Sequence, residues 1–300
     1  MTLRHLRIFT MVYRLGSMSA AAEKLHLSQP AVSTAIREME TYYGVRLFDR
    51  LARRLYRTPQ GEKMYGYAVH IVSLFDEMEQ TMKQPKAQET LRVGASITIG
   101  GLFLPDWVAK FREEEPLVQV QVSVRNTGDI EEALLGGELD LAFVEGGVKN
   151  SLLCSEPFLE DRLCLLAPKD HPLTQKNDVT LQEVAQYPFV MREEGSASRS
   201  VWEEAMRLQG LSPKILWESV SNTAVLQAVI HGVGLGVLPQ RLAEKPLAQG
   251  RLREVPIRLP ALQRQFRLVY HRHKFFTPIM RAFLELAQRE AAAEQNASTL

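Results

Sequence analysis

Within the first 61 residues, three short apolar stripes fit between fixed stop signals, and that spacing leaves few folds open. Leu3, Leu6, Phe9, Val12 and Leu15 recur at every third position through a stretch without Pro or Gly, which predicts an amphipathic helix ending at Gly16. Ser19 can cap a second, alanine-rich helix over Ala20–His26 that buries Ala21, Ala22 and Leu25. Leu27–Ser28 leaves only a tight connection. Ser28 suits an N-cap, and Pro30 falls in the first turn of a third helix, where its missing N–H costs nothing. On that helix Val32, Ile36, Met39 and Tyr43 form the buried stripe, so Thr34, Arg37 and Thr41 point away from it, with Ser33 on the flank.

Small hydroxyls beside a guanidinium, on the N-terminal half of an exposed helix, suit the DNA major groove. They allow close approach, and Arg37 or Gln29 can pair with a base edge. A merely solvated polar face remains the alternative for each residue. After Gly44, two short extended runs anchored by Leu47, Phe48 and Leu55 carry Arg50, Arg53, Arg54 and Arg57, as in a β-wing laid along phosphates or the minor groove. Charge agrees with this. Residues 1–61 hold ten basic and four acidic side chains, a surplus of six, whereas the other 239 residues hold 26 basic and 31 acidic. The near-neutral total of +1 conceals a basic head on an acidic body, the distribution of a nucleic-acid-binding domain joined to something else.

These residues resemble the winged helix-turn-helix of the LysR-type transcriptional regulators. The likeness is gap-free over the head: Ala21–Ala22, Leu25, the run Ser28-Gln29-Pro30-Ala31-Val32-Ser33, Ile36, Glu40, Leu47-Phe48, Arg50, and Thr58-Pro59-x-Gly61. Tyr42–Tyr43 and Leu51-Ala52-Arg53 depart from the family's usual residues without removing an expected DNA contact. DNA-contacting residues are therefore expected at Ser28, Gln29, Ser33, Thr34, Arg37, Arg50 and Arg53, in a domain spanning 1–60.

Over residues 61–88, Met64, Ala68, Ile71, Phe75, Met78 and Met82 alternate four and three apart, an a/d seam on a rod of roughly 33 Å that ends in the hinge Gln84-Pro85-Lys86-Ala87-Gln88. So narrow a seam needs a partner helix. A second subunit is expected, with packing on the chain's own body as the alternative. The resemblance implies homodimers paired through this helix, and often tetramers.

From Leu91 on, β-rich runs (Leu91–Ile97, Val118–Val124, Leu139–Val144, Leu163–Ala167, Phe189–Met191, Ile215–Trp217, Leu235–Leu238, Phe266–His271) alternate with helical ones (Leu102–Glu114, Ser200–Gln209, Thr223–Ile230, Pro278–Ala293), predicting α/β architecture with mainly parallel sheets. The resemblance implies that 89–300 forms a two-lobed, periplasmic-binding-protein-like effector domain. Lobe I would comprise 90–161 and 267–300, lobe II 162–266, with a ligand between them. Ligands of open α/β sheets sit at the C-terminal ends of strands, and four loops there are polar. Ser96 and Thr98 bring two hydroxyls. Glu145 is followed by two glycines. The stretch from Arg192 to Arg199 combines Gly195, Ser196, Ser198 and Arg199, the strongest anion cradle in the chain; Asn222 and Thr223 open the next helix. Helix capping is the plain alternative for each. The loops most resemble the family branch regulating carbon dioxide fixation and sulfur assimilation, which implies a small anionic effector. Glu145 would repel such an anion, and Arg192 or Arg199 is its expected counter-ion.

Composition excludes several classes. With 45% hydrophobic and 24% charged residues the chain is neither a fibre nor disordered, and no run nears the roughly 20 apolar residues of a membrane span. MTLRHLRIFT is too charged for a secretory signal, so a cytoplasmic protein is expected, with Cys154 and Cys164 as reduced thiols. Gly232-Val233-Gly234-Leu235-Gly236 is no dinucleotide fingerprint, because a helix precedes it and a strand follows. His271 and His273 lack a supporting ligand cluster and are expected to be surface histidines. Ser196 and Ser198 lack a nucleophile elbow, so no enzyme, metal or cofactor is expected. The expected partners are double-stranded DNA, a second copy, a small-molecule effector and RNA polymerase.

Overall fold

The computed structural model describes residues 1–51, 54–83 and 89–298. Three helices and a two-stranded wing make the head: α1 (Leu3–Leu15), α2 (Met18–Lys24), α3 (Gln29–Tyr43), β1 (Phe48–Leu51) and β2 (Arg54–Arg57). Gly16, at φ +60°, ends α1 with its N–H donating to the Val12 carbonyl at 2.9 Å. Ser17 caps α2, accepting from the Ala20 N–H at 3.2 Å, so the helix starts two residues before the position that Ser19 marked; buried Met18 sets that start. Ser28 caps α3 by accepting from the Ala31 N–H at 3.3 Å. Phe9, Val12, Ala21, Val32, Ile36 and Met39 close the head's core. Burial on α3 stops at Met39. Tyr43 has the right phase but lies one turn beyond the core, 43% exposed.

The wing is antiparallel and tied to α3, since the Glu40 carboxylate accepts from the Leu47 and Phe48 N–H groups at 2.8 and 3.3 Å. Gly61 seals the other side. A methyl group there would stand 2.2 Å from the Leu47 carbonyl oxygen, against rigid backbone. Gly61→Ala should therefore destabilise the head by about 1–3 kcal/mol. An earlier melt in far-UV circular dichroism checks this; an unchanged melt would show that Leu47 gives way freely.

Helix α4 (Pro59–Lys83) divides its apolar seam between two jobs. Its first turns belong to the head: Ala68 is buried, and the Tyr65 ring stacks on Tyr13 at 4.0 Å. Another side of these turns lies on the body, with Val69 against Gly137, Gly66 against Leu152 and His271, His70 on His271 and Tyr67 on His273. Further along, Ile71, Leu74, Met78 and Met82 stay exposed. The hinge at 84–88 lies outside the described residues.

The body follows in chain order: β3 (Glu89–Ala95), α5 (Ile97–Leu102), α6 (Leu104–Glu114), β4 (Val118–Val124), α7 (Thr127–Leu135), β5 (Leu141–Glu145), β6 (Leu153–Pro168), α8 (Leu181–Val184), β7 (Pro188–Arg192), α9 (Ala197–Arg207), β8 (Lys214–Ser219), α10 (Asn222–Ile230), β9 (Leu235–Pro239), α11 (Gln240–Ala248), β10 (Leu252–Glu254), β11 (Gln263–His271) and α12 (Pro278–Ser298). Nine strands form one mixed sheet in the order β4-β3-β5-β11-β6-β9-β7-β8, with β10 on β6. The expectation of mainly parallel pairing holds only toward the two ends. There β3 pairs parallel with β4 and β5, and β7 with β8 and β9; every ladder of β6 and β11 is antiparallel. β6 runs through both halves of the body, pairing with β11 along its first part and with β9 and β10 along its second, while β11 enters the first half beside β5. β6 begins ten residues before the expected Leu163, because its first half carries Glu156, Pro157, Glu160 and Asp161 and shows no apolar run.

Each half has its own core. Trp107, Phe111, Phe143, Phe266 and Phe283 fill the first, which α12 returns to complete; Phe189, Trp202 and Met206 fill part of the second. Among the described residues no helix is long and apolar enough to cross a membrane.

Candidate functional site

Two polar surfaces stand out, one on the head and one between the lobes. On α3, Gln29, Thr34 and Arg37 are exposed and Ser33 is partly buried, while Ser28 spends its hydroxyl on the helix cap. The geometry follows from the cap and from Pro30, which start the helix so that the core takes Val32, Ala35, Ile36 and Met39 and leaves this polar face outward. Arg53 and the side chain of Arg50 lie outside the described residues. Arg57 is not free to hold a phosphate. Its guanidinium lies 4.5 Å over the Tyr13 ring and donates to the Tyr13 carbonyl at 3.2 and 3.0 Å, so it fastens the wing to α1.

Between the lobes, Ser96 and Glu145 of the first face Arg192 and Ser196 of the second across a narrow cleft, with Asn126 and Thr127 at its side. Glu145 ends β5 and is held on three sides. One carboxylate oxygen accepts from the Ser96 hydroxyl at 3.3 Å and the Thr98 N–H at 3.2 Å; the other accepts from Arg264 at 2.9 Å. Its counter-ion is thus Arg264, not the expected Arg192 or Arg199. Arg264 also donates to Asp161 at 2.6 Å, and all three side chains are buried. Burial raises the Asp161 pKa even against the opposing pull of the guanidinium.

Arg192, at the end of β7, is buried on the second wall. It donates to Asn222 at 2.6 Å and forms a two-pronged pair with Glu193 at 2.8 and 2.9 Å. The Ser196 and Ser198 hydroxyls stand 3.1 Å apart at the start of α9, and neither Ser96 nor Ser196 uses its hydroxyl as a helix cap. Gly195 makes the turn at φ +86°. Arg199 points elsewhere. Its guanidinium pairs with Glu203 at 2.7 Å and with Glu218, and donates to the Arg192 carbonyl at 3.1 Å, bracing the cradle from behind. Thr223 is exposed and does not line the cleft.

Sequence reasoning missed Arg264, Asp161 and the pair Asn126-Thr127. Asn126 carried a local signal, an amide before a helical run, and it caps α7 by accepting from the Asp129 N–H at 2.8 Å. Arg264 carried none, since only strand pairing brings it to Glu145. The histidines are a correction as well. His271 is 1% exposed and lies 4.0 Å from the His70 ring, and His273 stacks on Tyr67 at 4.0 Å, because α4 covers them. Burial pushes the His70 pKa down to about 3 and that of His271 down to about 4. No group of three or more His, Cys, Asp or Glu among the described residues is arranged to hold a metal ion.

Two family models match this chain: "Bacterial regulatory helix-turn-helix protein, lysR family" over residues 3–62 and "LysR substrate binding domain" over residues 85–292. Over 284 residues, 95% of this chain and 96% of the relative, it is 34% identical to the uncharacterized HTH-type transcriptional regulator YeiE of Escherichia coli (strain K12). It is 33% identical over 293 residues to the RuBisCO operon transcriptional regulator of Allochromatium vinosum, 97% of each chain. Among solved structures, the Synechocystis PCC6803 CcmR regulatory domain in complex with 2-PG matches with a TM-score of 0.63 and 26% identity, covering 68% of this chain and 98% of that one.

Proposed function

Since the chain belongs to the LysR family of transcriptional regulators, with a DNA-binding head and an effector-binding body, we propose a division of labour among its residues. Residues 1–60 form the DNA-reading domain, in which Gln29, Ser33, Thr34 and Arg37 meet base edges, Ser28 sets the start of their helix, and Arg50 and Arg53 hold phosphates or the minor groove. Residues 61–88 form the pairing helix and hinge of a homodimer, with tetramers built from two dimers; the exposed Ile71, Leu74, Met78 and Met82 support this pairing. In residues 89–300, lobe I (90–161 and 267–300) and lobe II (162–266) close on a small anionic effector. That the CcmR domain holds 2-PG supports a ligand of this kind. The protein works in the cytoplasm and acts on RNA polymerase by changing the spacing and bend of its paired DNA heads.

The observation that carries this reading is that one helix packs the head's core on one face and presents Gln29, Thr34 and Arg37 on the other. Arg37→Ala should cost about 1–3 kcal/mol of operator affinity and relax discrimination at one base pair. Gel-shift titration on operator and scrambled DNA measures both. Equal affinity and specificity in the variant would remove Arg37 from the reading face.

A further inference from the structure

The two walls of the cleft differ in charge, and that difference bears on which ligand fits; the argument rests on the cleft being the effector site. On the first wall, Glu145 and Asp161 share the single guanidinium of Arg264, so Glu145 has that cation only in part. On the second wall, Glu193 balances Arg192. With Glu193 and Asn222 as partners, Arg192 uses three of its five N–H groups, and the hydroxyls of Ser196 and Ser198 stand beside it. An anion seated on this second wall would therefore face a carboxylate across a small gap. Like charges so placed repel strongly wherever water is scarce.

Glu145 is not placed to swing aside, because Ser96, Thr98 and Arg264 bind it on three sides and it is only 6% exposed. It can still accept one more hydrogen bond, since a carboxylate offers about four lone-pair positions and three are taken. We infer that Glu145 is a specificity-determining residue of the cleft: it accepts a hydroxyl from an effector whose anionic group, at the other end, is held by Arg192, Ser196 and Ser198. The effector is thus a hydroxylated anion, and compact anions without a donor are rejected.

Calorimetric titration of the intact protein tests this with sulfate, acetate and glycolate as probes. Glu145→Gln removes the charge and leaves Arg264 paired with Asp161. It should bind sulfate at least about tenfold more tightly than the unaltered protein, and the gain should vanish in Glu145→Gln/Arg192→Gln. The unaltered protein should prefer glycolate to acetate, which lacks only the hydroxyl; this comparison needs no variant to fold. Sulfate binding no tighter in Glu145→Gln, or equal affinity for glycolate and acetate, overturns the role of Glu145. If Arg192→Gln then still abolishes anion binding, the cleft reading stands without it. A sulfate gain that survives in the double variant puts the anion outside the cleft and overturns both.

Discussion

Arg264→Met should lower the stability of the body by about 3–5 kcal/mol, the usual cost of leaving buried charge without its partner. Methionine nearly fills the same volume, so the loss is electrostatic rather than a cavity effect. Two carboxylates bear it, Glu145 on the first lobe and Asp161 on β6, with side chains only 6% and 1% exposed. The sign with pH follows. Burial already raises the Asp161 pKa against the pull of Arg264, so without that guanidinium Asp161 takes up a proton at higher pH than in the unaltered protein, and the deficit should shrink as the pH falls. Urea unfolding at pH 7.5 and pH 5.5 would show it. A deficit below about 1 kcal/mol at the higher pH would mean that water reaches the pair and screens it.

Acid should undo the docking of α4 before it reaches most carboxylates. The His70 and His271 rings lie 4.0 Å apart in a buried patch; burial, with positive charge from Lys274, Arg272 and His273, lowers their pKa values to about 3 and about 4, and Asp140 pairs with Lys274. The Nδ1 of His271 already accepts the His273 N–H at 3.2 Å, so the ring stays neutral while that turn is intact. Above pH ~6.5 the imidazoles are neutral in both folded and unfolded chains and add no pH dependence. Below it, the unfolded chain binds protons that the folded chain refuses, and stability falls with decreasing pH by up to about 2.7 kcal/mol per pH unit for the two together. His70→Gln should roughly halve that slope between pH 6 and pH 4.5. The same slope in both proteins would show that the acid loss comes from other groups.

The head was legible because its information is local. Gly16, Ser28, Pro30 and Gly44 punctuate helices whose stripes pack on one another within 61 residues, and the errors there, Ser19 for Ser17 and Tyr43 in the core, are shifts of a turn or less. The second-wall cradle was legible for the same reason, since Gly195, Ser196 and Ser198 lie together in sequence and at the start of one helix. What failed depended on distant partners. Nothing near Arg264 announces that β11 will lie between β5 and β6 and bring its guanidinium to Glu145 and Asp161. His271 looks exposed until α4, some 200 residues earlier, is laid over it. Arg57 and Arg199 illustrate a third case: arginines in promising runs whose charges are spent on a tyrosine ring and on neighbouring carboxylates.

The head and α4 meet the body on the first lobe: Arg14 pairs with Glu138 at 2.9 Å, Val69 lies against Gly137, and His70 and Gly66 lie against His271. The second lobe is joined to the first by β6 and β11, whose register slips between Phe266 and Arg267 near the buried Arg264 pair, and by Arg241 of α11, which pairs with Glu294 of α12 at 3.0 Å and lies 5.3 Å from the Phe103 ring. By these contacts, a displacement of the second lobe meets the head by way of the first lobe, through two strands and one arginine.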